Sequence, residues 1–152
     1  MADESNPDPI LLARENIKCA EGRNCRPALK LYPDTEGKLT IGYGRNIEDN
    51  GISAAIAEQM LSEDIIVAVA DAKYIFGDAF DTASPRRQAA LIEMAFNLGR
   101  LRLLNFTRMI GAVRIGDWAA AAYHAKDSKW YHQVTPKPPG RGDRICEMLQ
   151  NG

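Results

Sequence analysis

Glu21, Asp34 and Thr40 stand close enough in sequence to act together on one bond. Glu21 ends an apolar-faced segment with helical spacing. Asp34 and Thr40 flank a tight turn within Tyr32-Pro33-Asp34-Thr35-Glu36-Gly37-Lys38-Leu39-Thr40-Ile41-Gly42-Tyr43-Gly44. A carboxyl group on a helix end, set against a carboxylate and a hydroxyl on a hairpin, can protonate a leaving oxygen and activate a water. Cleaving a glycosidic bond needs both acts, because its oxocarbenium-like transition state requires a proton on one face and a nucleophile on the other. One carboxyl group must keep its proton while its partner stays ionised, so their surroundings must differ.

Helices and a hairpin must position these groups. Pro9 opens a first helix whose stripe is Ile10, Ala13, Ile17 and Ala20, and Gly22 stops it. Glu21 follows Ile17 by four residues and so falls beside that stripe, at a core edge that favours a protonated carboxyl group. Residues 29–44 read as strands turning near Glu36-Gly37, with Asp34 and Thr40 as cross-strand neighbours equidistant from Gly37. Leu39, Ile41 and Tyr43 alternate with Lys38, Thr40 and Gly42, which puts Thr40 and Gly42 opposite the apolar face. Gly42 and Gly44 leave room for something large against the backbone.

Further along, Ser53 caps a long helix to about Phe76 with a stripe through Ile56, Met60, Val67 and Ile75. Ser84-Pro85 starts a helix ending at Leu98 with Gly99 as its stop, apolar on nearly every side and hence the buried centre of a helical lobe. Helices over about 107–114, 117–125, 128–133 and 143–149 follow, with Pro136–Gly140 as a loop. The fold class expected is α+β, mostly helical. A small lobe (about 10–60) with a hairpin is joined by the 53–76 helix to a helical lobe (about 77–152), and a cleft lies between. Residues 1–9 form a loose acidic tail.

Composition sets limits. The chain has 152 residues, 45% hydrophobic and 26% charged, with net charge -1. That balance argues against a protein built to grip nucleic acid, although Arg100, Arg102, Arg108 and Arg114 could form a local basic face. No apolar run approaches the roughly 20 residues of a membrane span, and the start lacks the features of a signal peptide. Cys19, Cys25 and Cys146 fit no zinc spacing. Buried free thiols are the default reading, with a Cys19–Cys25 clip as the alternative.

Four blocks carry a family resemblance: Glu21-Gly22 after a helix, the Tyr32–Gly44 hairpin, Pro85–Gly99, and Ser128–Gln133. With them the chain resembles the phage-type lysozymes (endolysins), muralytic glycosidases of the T-even phage lysozyme kind. The resemblance implies a lysozyme-like fold and hydrolysis of peptidoglycan between N-acetylmuramic acid and N-acetylglucosamine. It makes Glu21 the general acid and Asp34 the water-activating carboxylate, with Thr40 holding the water; a water fitted between the sugar and Asp34 favours inversion. Gly42, Gly44, Phe96 and Arg141 then bind substrate, Phe96 at the cleft floor and Arg141 paired with the catalytic glutamate. Asp34 follows Glu21 by 13 residues, more than the family usually shows, so a surplus around Asn24–Ala28 should bulge outward. Arg45 replaces a histidine and should pair with Asp64.

No metal or organic cofactor is expected. The partner is a peptidoglycan glycan strand, with no nucleic acid and no stable membrane association, and the protein is expected to be a monomer. It would wait in the host bacterial cytoplasm until a holin lets it reach the wall, causing lysis. Taken singly, Glu21 could be an ion-paired helix-end carboxylate, Asp34 a turn former and Thr40 a strand threonine; Glu36 is the rival carboxylate. Rival functions are a non-catalytic wall-binding module of the same fold, or a transglycosylase or chitinase.

Overall fold

Asp8 opens the first helix by accepting a hydrogen bond from the Ile10 N–H (2.9 Å), and Pro9 takes the first helical position. The computed structural model describes residues 8–22 and 24–152. Residues 1–7 of the expected acidic tail therefore lie outside the described residues. Two compact units divide the chain, one ending at Ala57 and the other beginning at Glu58.

In the first unit, α1 (Pro9–Glu21) ends at Gly22, whose N–H caps the Lys18 carbonyl. None of its side chains is buried, and Ile10 and Ile17 are exposed, so the stripe expected to sink Glu21 into a core edge does not do so. Three antiparallel strands follow in the order β1 (Ala28–Pro33), β2 (Leu39–Gly42), β3 (Arg45–Asn46). The register pairs Tyr32 with Thr40 and Pro33 with Leu39, not Asp34 with Thr40. The Asp34 N–H reaches the Lys38 carbonyl instead (2.9 Å). Burial along β2 does not follow the expected apolar face, since Ile41 and Gly42 are both half-buried. Thr40 is the buried position (2% exposed) and Leu39 the open one (43%). A one-turn helix, α2 (Ile47–Asn50), is capped by the Asn46 side chain.

The long helix α3 (Ala54–Phe76) starts after Ser53, which accepts a hydrogen bond from the Ile56 N–H (3.3 Å). Its buried positions are Ala68, Asp71, Ala72, Ile75 and Phe76. Of the expected stripe Ile75 is buried, whereas Ile56, Met60 and Val67 are 42%, 52% and 60% exposed. Buried Asp71 is answered by Arg100 at 2.7 Å, which a carboxylate out of water requires.

The second unit continues with α4 (Asp78–Asp81), α5 (Pro85–Leu103), α6 (Thr107–Arg114), α7 (Trp118–Lys126), α8 (Lys129–Val134) and α9 (Arg141–Asn151). Gly99, at φ 70° and ψ 161°, breaks α5 as its sequence position predicts, and a further turn of helix then resumes. Leu91, Met94, Met109, Val113, Ile145 and Leu149 are among the fully enclosed core residues. Trp130 and Tyr131 belong to that core. Pro136–Gly140 is a loop, and the Gly142 N–H behind it binds the Thr135 hydroxyl (3.0 Å). No helix among the described residues is long and apolar enough to cross a membrane.

Candidate active site

Asp34 sits at the head of the hairpin turn because its side chain builds that turn. Its Oδ1 accepts the backbone N–H groups of Glu36 (2.9 Å) and Lys38 (2.8 Å). Gly37, at φ 80°, completes the reversal. With Oδ1 occupied, Oδ2 is left facing the Thr40 hydroxyl at 3.3 Å. The same hydroxyl lies 3.2 Å from the Lys38 carbonyl, so its single proton is shared between two long contacts. Asp34 and Thr40 are thus brought together diagonally across the turn, two residues off the pairing expected from symmetry.

The other side of the turn is braced by charge. Lys38 lies 3.1 Å from Asp49 and 3.6 Å from Glu48. The hydrogen bond from Lys38 is the main reason the Asp49 carboxyl lies below the usual carboxylate range, and Asn46 adds to it. Asp49 in turn raises the Lys38 ammonium. Arg45 donates to the carbonyls of Gly51 (2.8 Å) and Asn50 (3.3 Å), a use its sequence position did not suggest.

Glu21 is exposed at the last position of α1, and its carboxylate approaches the backbone at Gly44. A methyl group on Gly44 would lie 3.0 Å from Glu21 Oε2, and the residue's φ of +79° belongs to the region that side chains avoid. Gly44, expected to make room for substrate, is the floor under the Glu21 carboxylate. Gly42, also left-handed, faces Ala28 across the sheet.

Segment 24–28 does not simply bulge away. Cys19 and Cys25 form a disulfide, so the default reading of free thiols fails for this pair; only Cys146 is free, and it is buried. The segment borders a depression of about 460 Å³ lined by Glu21, Arg26, Ala28, Lys30 and Tyr32 among others. The surplus length between Glu21 and Asp34 was the signal for this feature, and the six-residue cysteine spacing was the signal for the bond.

Phe96 and Arg141 belong to the second unit. Phe96 is 43% exposed on α5, and Arg141 opens α9 with its Nε 3.9 Å from Glu93. Arg102 and Arg108 were two of the four arginines that could form a local basic face. Arg102, Arg108, His124 and Lys129 gather around a depression of about 440 Å³ edged by Phe106 and Trp130. Among the described residues no cluster of His, Cys, Asp and Glu could hold a metal ion.

The sequence profile described as phage lysozyme matches residues 21–143. A probable T4-type lysozyme 1 of Dictyostelium discoideum is 25% identical, over 91% of this chain and 94% of that protein. A second Dictyostelium protein, probable T4-type lysozyme 2, shows the same identity and coverage. The pre-baseplate central spike protein Gp5 of Enterobacteria phage T4 is 28% identical over 97% of this chain, which spans 29% of that longer protein. A profile running from Glu21 to Asp143, over both units, makes this chain a member of the phage lysozyme family and a glycoside hydrolase of the lysozyme type.

Proposed function

We propose that the chain hydrolyses the bond between N-acetylmuramic acid and N-acetylglucosamine in bacterial peptidoglycan. Glu21 donates the proton to the leaving oxygen, and Asp34 with Thr40 holds and activates the attacking water. The observation that carries this reading is the split use of the Asp34 carboxylate: Oδ1 fixed by two backbone amides, Oδ2 turned to the buried Thr40 hydroxyl at 3.3 Å. A water between them would donate to Oδ2 and accept from Thr40, leaving a lone pair for the sugar carbon. An independent water, rather than direct attack by the carboxylate, leads to inversion.

Gly44 supports the acid's position by admitting the Glu21 carboxylate against the backbone. Gly42, Phe96 and Arg141 are assigned to substrate binding. In its setting the enzyme is proposed to act as a monomer without cofactor, held in the host cytoplasm and released to the wall through a holin, with lysis as the result. The test is product analysis on purified peptidoglycan with wild type and Glu21→Gln side by side. Wild type should release new reducing ends without anhydro sugars, and Glu21→Gln should lose at least about 100-fold of that rate. Equal rates, or anhydro products, would overturn the assignment.

A further inference from the structure

The Cys19–Cys25 disulfide has no part in the chemistry above, yet it closes a ring around the residue given the acid's role. Glu21 lies inside that ring as the last residue of α1, where a helix frays unless something holds its end. Within this unit and among the described residues, no hydrogen bond fixes the Glu21 carboxylate. What holds the end is the returning chain. A methyl on Gly22 would fall 2.7 Å from the Arg26 carbonyl oxygen and 2.9 Å from its nitrogen, so Arg26 backbone lies directly against the residue after Glu21. Asn24 and Cys25, neither of them glycine, are both left-handed at φ 55° and 61°. Consecutive side-chain-bearing residues stay in that region only where surrounding structure forces them. The bond to Cys19 ties this pair to the last turn of α1.

We propose that the Cys19–Cys25 disulfide is a positioning clamp for Glu21, and that it makes hydrolysis depend on thiol redox state. This rests on the assignment of Glu21 as general acid. Both cysteines are exposed, so a small dithiol can reach them. The dithiol gives up two electrons and two protons and leaves as a cyclic disulfide; the S–S bond breaks, and Cys19 and Cys25 become thiols. Oxidised glutathione reverses the change, taking the two electrons and protons to become two reduced glutathiones. A reducing compartment opens the clamp and an oxidising one closes it. An enzyme made in the first and acting in the second would gain activity on arrival.

The test uses the full chain on purified peptidoglycan, with kcat and KM measured before and after dithiothreitol, and after reoxidation with oxidised glutathione. Reduction should lower kcat about tenfold or more while KM changes less than about twofold, and reoxidation should restore the rate. Cys19→Ser/Cys25→Ser should share the low kcat and ignore dithiothreitol. Equal kcat in the oxidised and reduced forms, with Glu21→Gln inactive, would overturn the clamp and spare the acid. Full activity of Glu21→Gln would overturn the acid itself. A fall in kcat that comes with loss of the helical circular dichroism signal would assign the bond to the fold and refute a positioning role, as would two thiols that resist oxidation.

Discussion

Thr40 carries two contacts on one proton, and both are long for hydroxyl bonds. Such a hydroxyl is easily turned toward a water. Thr40→Val keeps the shape but loses the donor, and should lower kcat about 100-fold with little change in melting temperature, whereas Thr40→Ser should keep most of the rate. Steady-state kinetics beside a thermal melt checks both. Gly44→Ala sets a methyl 3.0 Å from Glu21 Oε2 at a left-handed backbone position. It should cost about 1 kcal/mol of stability from the backbone alone, and kcat should fall about tenfold or more as the carboxylate is displaced. At this scale the hairpin composition made the meeting of Asp34 and Thr40 legible. The register did not follow from symmetry about Gly37, because Asp34 spends Oδ1 on the turn and pairs with Lys38. The exposure of Glu21 was not legible either, since a helical stripe says which residues share a face and not what covers it.

Helix α5 shows how local chemistry can be read directly. Gly99 was identified as a stop, and it adopts φ 70° and ψ 161°, a region open essentially to glycine alone. Gly99→Ala should therefore destabilise the second unit by about 1–3 kcal/mol, measured by urea unfolding; no loss would mean that the break is not enforced there. The resumed turn after Gly99 was not foreseen, nor were α2 and α4, each of four residues. Four residues contain too little of a 3.6-residue period to show one. The long α3 was placed within one residue and Ile75 is buried as expected, yet Ala68 and Ala72 are enclosed where Val67 is exposed. Alanine and valine are both apolar, and only the neighbouring helices decide which of them is enclosed.

Across the whole molecule, the mostly helical α+β class was written in the periodicities and in the four family blocks. The addition of His124 and Lys129 to Arg102 and Arg108 was not, because it depends on how α5, α6, α7 and α8 meet. Packing of α5 against α9 is tied by Glu93, which takes two hydrogen bonds from Arg144 at 2.7 and 2.8 Å. Those bonds hold the Glu93 carboxyl below its ordinary value of 4.5. A lowered folded-state pKa means that this stabilisation is complete above about pH 4.5 and fades as pH falls through the lower value. Arg144→Met should cost about 0.5–1 kcal/mol at neutral pH, given an exposed guanidinium, and should flatten the fall in melting temperature on acidification. An unchanged acid slope would count against that pairing.

Delivery of a water by Asp34 and Thr40, with Glu21 protonating the leaving group, sets the anomer formed. Proton NMR of the sugar released in the first seconds of cleavage, before mutarotation, reads that anomer. The predicted first product has the anomeric configuration opposite to that of the bond cleaved. A first product that retains the original configuration would contradict the claim.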